Sequence, residues 1–138
     1  MFDTICNNYT DYKAIVKVDL DTYFDKNYVL SVLKFLSENS EKRIYFGNPR
    51  LYSNKLYFEG RFYAMTQKLV EDYCKCKPSV PKINPEDVWL SHTIADCLSK
   101  DPSVNIENIH HMLNDETKIY HKEYKIKGLH LKLGRNIK

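Results

Sequence analysis

Asp19 and Asp21 stand one residue apart just beyond the apolar run Ala14-Ile15-Val16, with Lys17 before them. A strand directs alternate side chains to opposite faces, so both carboxylates are expected on one side. Held together they repel unless a cation lies between them. A hard divalent ion such as Mg²⁺ or Mn²⁺, carrying a phosphate-bearing ligand, meets that need. The plain alternative is one solvated carboxylate and one that caps the next helix. A second acidic pair, Glu86-Asp87, follows Asn84-Pro85. Acids in a first helical turn favour the helix dipole, and a carboxylate held there beside a cleft can equally take a proton from an attacking hydroxyl.

These residues need elements to place them. Residues 13–18 read as a buried strand, central and covered on both faces, because their apolar residues run together without alternation. Asp25 is the expected N-cap of a helix whose apolar face is Val29, Val32, Leu33 and Leu36, ending near Asn39. Arg43 to Gly47 reads as a short strand stopped by Gly47-Asn48-Pro49, and 50–58 as extended chain folded around Ser53-Asn54. After Glu59-Gly60 a strand over 61–65 leads to Thr66, expected to cap a helix carrying Leu69, Val70 and Tyr73. Asn84 as N-cap and Pro85 at the first helical position open a helix running to about Lys100, with Leu90, Ile94, Cys97 and Leu98 on its apolar face. Residues 1–12 read as an irregular lead-in, and 104–113, containing His110-His111, as strand or loop. The tail from Thr117 alternates like a strand pair whose apolar face switches near Gly128. The order predicts a single α/β domain over 1–138, a mixed sheet with flanking helices.

A chain of 138 residues holds one modest core. Hydrophobic residues at 43% and charged residues at 28% place it among globular chains and exclude disorder. A net charge of +3, spread along the chain, gives no nucleic-acid surface. No apolar run reaches the roughly 18 residues that span a bilayer. Met1-Phe-Asp-Thr-Ile-Cys has neither the basic start nor the apolar core of a signal peptide, so a cytoplasmic location is expected. Cys74 and Cys76 flank one lysine, and neither Cys6 nor Cys97 has a metal-type spacing. All four are expected to be reduced and structural.

Three stretches in order, Ile15-Val-Lys-Val-Asp-Leu-Asp21, Gly60-Arg-Phe-Tyr-Ala-Met-Thr66 and Pro85-Glu-Asp-Val-Trp89, resemble the β-1,3-galactosyltransferase and Fringe-related glycosyltransferases. Those enzymes carry Lys-Val-Asp-Asp-Asp, Gly-Gly-Tyr-Val-Leu-Ser and Glu-Asp-Val stretches at similar spacing. The resemblance covers residues 13–100 and implies the C-terminal catalytic half of a GT-A-type fold, a truncated nucleotide-diphospho-sugar transferase. It implies a galactosyltransferase-like, metal-dependent transfer of a hexose (galactose, glucose or N-acetylhexosamine) from a UDP-sugar to a hydroxyl on a glycan or protein, with inversion. Asp19 and Asp21 match the flanking acids of the triplet that binds Mn²⁺ (or Mg²⁺) and the diphosphate, Lys17 and Gly60 lie in the donor-binding stretches, and Asp87 matches the catalytic base. The family's metal also takes a downstream histidine, for which His111 is the first choice and His110 and His130 are alternatives.

Three departures accompany the resemblance. The middle acid of the triplet is Leu20, Gly60 alone remains of the glycine stretch, between Glu59 and Arg61, and only eighteen residues precede Asp19. The half that grips base and ribose in the family is therefore expected to be absent from these 138 residues, which predicts an exposed sheet edge covered by self-association or a partner chain. A Golgi or ER lumenal location applies only if this chain is a fragment of a longer protein. The alternative function is a non-catalytic relative that binds a sugar or a protein. An unrelated small α/β domain is the third reading.

Overall fold

A computed structural model describes residues 2–8, 11–76, 85–100, 109–121, 123–126 and 129–132. Its centre is a four-stranded mixed sheet in the order β1 (Ala14–Val18), β4 (Lys55–Thr66), β3 (Arg43–Tyr52), β5 (Ile109–Leu113). The β1–β4 and β4–β3 pairs are antiparallel and β3–β5 is parallel. Helix α2 (Lys26–Glu38) covers one face, whereas α3 (Gln67–Lys75) and α4 (Glu86–Lys100) cover the other. The expected α/β class with a mixed sheet and flanking helices is present.

Alternation along the strands sorts the core into two layers. Ile44 and Phe46 of β3, with Phe62 and Ala64 of β4, meet Val29, Val32 and Leu36 of α2. Tyr45, Tyr63 and Met65 turn the other way, onto Leu69, Val70 and Tyr73 of α3 and Leu90, Ile94 and Leu98 of α4. Asp25 caps α2 as expected, its side chain accepting the Tyr28 N–H at 2.9 Å.

Several expectations are corrected. Strand β1 is an edge strand rather than a central one, and among the described residues only β4 pairs with it. Ala14 and Ile15 are partly buried against opposite layers, but Val18 is left 45% exposed. Gly47-Asn48-Pro49 does not stop β3: the strand runs on to Tyr52 and returns as β4 through Ser53 and Asn54, whose φ of 50° and 62° make the tight hairpin turn. An irregularity absorbs the break, since Gly47 faces Tyr63 but Pro49 faces Phe58. The surplus residues lie in β4, which therefore changes face between Phe58 and Phe62. Thr66 makes no cap bond to α3. Its hydroxyl instead donates to the Lys42 carbonyl at 2.5 Å and accepts the Ile44 N–H at 3.0 Å, tying β4 to the start of β3.

The lead-in contains a helix, α1 (Phe2–Asn8), and Thr22–Phe24 forms β2, paired with β6 (Ile119–His121). The cysteines expected to be reduced form two disulfides. Cys6–Cys74 joins α1 to α3 with Cα atoms 5.5 Å apart, and Cys76–Cys97 joins the end of α3 to α4 with Cα atoms 5.9 Å apart. Spacing along the chain concealed both, because each links separate elements. The tail forms the expected strand pair, β7 (Glu123–Ile126) with β8 (Leu129–Lys132). Asn84 and Gly128 lie outside the described residues. No described helix is long and apolar enough to cross a membrane.

Candidate functional site

The chain turns sharply after β1. The Thr22 N–H donates to the Asp19 carbonyl at 3.0 Å, while the Asp19 N–H and the Thr22 hydroxyl both donate to the Arg61 carbonyl at 2.9 Å. Asp19 and Asp21 are therefore separated by a turn rather than aligned on a strand. Asp19 faces a pocket. Asp21 is only 5% exposed and does not line it, whereas Leu20 between them is fully exposed.

The pocket has a volume of about 230 Å³ and lies between the end of β1, the irregular part of β4 and the first turn of α4. Lys17, Asp19, Gly60, Tyr63, Pro85, Glu86 and Asp87 line it. The Lys17 ammonium donates to the Asp19 carboxylate and to the Gly60 carbonyl. The Gly60 N–H donates to Asp87 Oδ2 at 2.7 Å, and the Val88 N–H donates to Asp87 Oδ1 at 2.9 Å. Three stretches distant in sequence are thus joined through the two polar groups of one peptide residue.

Gly60 sits in close approach to the groups on either side of it. A Cβ there would lie 3.3 Å from Lys17 Nζ and 3.4 Å from Asp87 Oδ2. Bulges recur next to functional sites because they re-aim the backbone, and here the re-aimed residue is Gly60. Its neighbours do not crowd it: Glu59 accepts from Asn48 at 2.7 Å and pairs with Arg50 at 2.8 Å and Arg61 at 2.6 Å.

Three carboxylates line the pocket against one ammonium, so its field is negative. Tyr63 forms the floor, 1% exposed, with Lys17 Nζ 5.9 Å from its ring centroid. Burial pushes its phenol far above the usual range, assisted by Tyr45, Glu86, Asp87 and Asp19. Its hydroxyl is enclosed without a hydrogen-bond partner among the described residues.

His110 and His111 lie elsewhere. His111 on β5 is in register with Tyr45, 5.7 Å from the Phe58 ring, and lines a second cavity. Burial lowers its pKa from the ordinary 6.5. His110 is the partner of Ile44, on the alternate face of β5, and is exposed. His130 lies on β8. Among the described residues no three His, Cys, Asp or Glu side chains form a ready metal cluster. The pocket thus unites Lys17, Asp19, Gly60 and Asp87 but not Asp21, His110 or His111.

Tyr63 is a lining residue that the sequence did not mark, since it reads as core, whereas Glu86, read as half of the acidic pair that opens α4, lines the pocket beside Asp87. Ser91 was also missed. It lies one turn beyond Asp87, and its hydroxyl hydrogen-bonds the Tyr45 hydroxyl at 3.0 Å and accepts the Phe58 N–H at 3.1 Å. A polar residue four positions on from Asp87, within an apolar helix face, was the available signal. Comparison with known proteins found no family model and no curated protein that matches the chain.

Proposed function

We propose that this pocket binds a UDP-sugar with a divalent cation and transfers the hexose to a hydroxyl acceptor with inversion. The observation that supports the reading is the convergence of Lys17, Asp19, Gly60 and Asp87, residues of three separate stretches, on one pocket. A surplus of carboxylates would repel a diphosphate on its own, and a bound cation removes that repulsion. The donor set fits Mn²⁺ or Mg²⁺ held by Asp19, because such ions bind through one or two carboxylates with water and substrate phosphates completing the shell. When bound, the ion supplies charge neutralisation to the departing diphosphate.

Asp87 takes the proton of the acceptor hydroxyl. The acceptor oxygen bonds to the anomeric carbon, the bond from that carbon to the diphosphate breaks, and UDP leaves with the electron pair. A single displacement inverts the anomeric centre. Lys17 keeps Asp19 and the Gly60 backbone in position, and the two N–H donors to Asp87 fix its carboxylate.

The test follows thermal unfolding with Mn²⁺ alone and with Mn²⁺ plus UDP, for the protein and for Asp19→Asn. A ligand at a hundred times its Kd adds about 2.7 kcal/mol, several degrees for a domain of this size. No shift for either protein sinks the proposal. A shift lost in Asp19→Asn, together with release of UDP from UDP-galactose or UDP-glucose, supports it. A second reading, binding without turnover, is favoured by one feature: both Asp87 oxygens already accept backbone N–H groups. A UDP-dependent shift without UDP release selects it.

A further inference from the structure

The second cavity, about 300 Å³, lies on the same face of the sheet and beneath the same helix as the first. Its walls include Tyr45, Leu56, Phe58, Ile94, Ile109 and His111. Tyr45 and Phe58 meet edge to face at 4.6 Å, and His111 stands 5.7 Å from Phe58. At its base the Ser91 hydroxyl bonds both the Tyr45 hydroxyl and the Phe58 N–H, whereas His92 Nε2, also in the lining, is buried without a hydrogen-bond partner among the described residues. What remains for a ligand is mostly apolar surface, unsuited to phosphate or a bare sugar. An apolar cavity of about 150 Å³ is enough for benzene, so this one holds an aryl ring or a short alkyl chain with space to spare.

Two elements run from one cavity into the other. Ser91 is four residues beyond Asp87 on α4, a rise of about 6 Å, and Phe58 is two residues before Gly60 on β4, about 7 Å. We propose, resting on the transferase reading, that the second cavity is the acceptor subsite. It takes the aryl or alkyl group of an acceptor whose hydroxyl lies about 6–7 Å away, beside Asp87. The proton given up by that hydroxyl goes to Asp87, and the new bond joins its oxygen to the anomeric carbon as UDP departs. An acceptor without the apolar group gains nothing from the cavity.

The experiment compares phenyl β-galactoside with methyl β-galactoside by calorimetry, with Mn²⁺ plus UDP titrated separately into the same protein. The phenyl compound is expected to bind at least ten-fold more tightly. Ala95→Trp, at the exposed rim of the cavity, is expected to abolish that preference while Mn²⁺–UDP binding persists. Leu56→Ala, on the exposed hairpin, gives a second variant that does not disturb the core and is expected to weaken phenyl binding severalfold. Equal binding of the two galactosides with nucleotide binding intact overturns the acceptor subsite alone. Phenyl binding without any nucleotide binding overturns the transferase reading, and the acceptor role with it.

Discussion

Asp87 separates a structural role from a chemical one, because its two oxygens have defined partners. In Asp87→Ala the part-buried Gly60 N–H loses its acceptor, which costs about 1–3 kcal/mol for an unsatisfied group. Removing a carboxylate from the first turn of α4 adds about 0.3–1 kcal/mol. A combined loss of about 2–3 kcal/mol lowers the midpoint of this domain by roughly 6–12 °C. In Asp87→Asn the amide carbonyl still accepts the Gly60 N–H, so the expected cost is about 1 kcal/mol and roughly 3–5 °C. Turnover should behave differently: if Asp87 is the base proposed above, its loss is expected to lower the transfer rate about 10²–10⁴-fold in both variants. Calorimetric unfolding and a UDP-release assay on the same three samples make the comparison. Asp87→Asn with undiminished turnover would refute the base, and Asp87→Ala with an unchanged midpoint would refute the energetic role of the Gly60 bond.

Other perturbations follow from the packing. Replacing Cys76 and Cys97 by serine opens a loop of sequence separation 21, an entropic loss of about 3 kcal/mol, read as a fall in midpoint that Cys6→Ser/Cys74→Ser matches or exceeds. Non-reducing peptide mass spectrometry of the native protein should recover both pairings. Burial raises the Asp72 pKa, but hydrogen bonds and charge from Lys68 and Arg43 outweigh it and hold the carboxyl below its ordinary value. The stabilisation it provides is present above the unfolded value near 4 and is lost as pH falls through the lowered folded value. Asp72→Asn should cost roughly 3 kcal/mol at pH 7, because it removes the buried counter-charge of Arg43, paired at 2.6 Å, and of Lys68, and the variant should show a shallower acid dependence. His111 works in the opposite sense of charge: its folded pKa is lowered, so the unfolded chain binds the proton first and stability falls as pH drops below about 6.5. His111→Asn should flatten that part of the profile, and an unchanged slope would show that another group sets it.

Much of this geometry was legible because it depends on local chemistry. The Asp25 cap, the spacing of Val29, Val32 and Leu36, and the Pro85-Glu86-Asp87 start of α4 are signals within one turn of helix. The hairpin at Ser53-Asn54 is equally local. The errors arose where tertiary contacts decide. An apolar run such as Ala14-Ile15-Val16 fits a central strand or an edge strand packed between two layers, and only the position of β4 distinguishes them. The relation of Asp19 to Asp21 changed because the chain turns at Asp19, where hydrogen bonds to Arg61, forty-two residues away, fix the geometry. Gly47-Asn48-Pro49 looked like a stop because the compensating irregularity lies in the partner strand. The site was half legible: Lys17, Asp19, Gly60 and Asp87 meet, whereas His111 belongs to another cavity whose apolar walls resemble ordinary core in sequence.

Strand β4 contributes to both cavities and to both layers of the core. A ligand in either cavity therefore cannot hold its wall in place without also holding the strand at the middle of the sheet. Hydrogen exchange distinguishes a local opening from a global one, and here the amides beside the ligands and the amides of the deepest pairing are the same strand. Occupancy of either cavity should slow exchange at Ala64 and Met65, one and two residues beyond the lining Tyr63, as much as at Gly60. Binding in this molecule is recorded by the centre of the fold rather than by its rim.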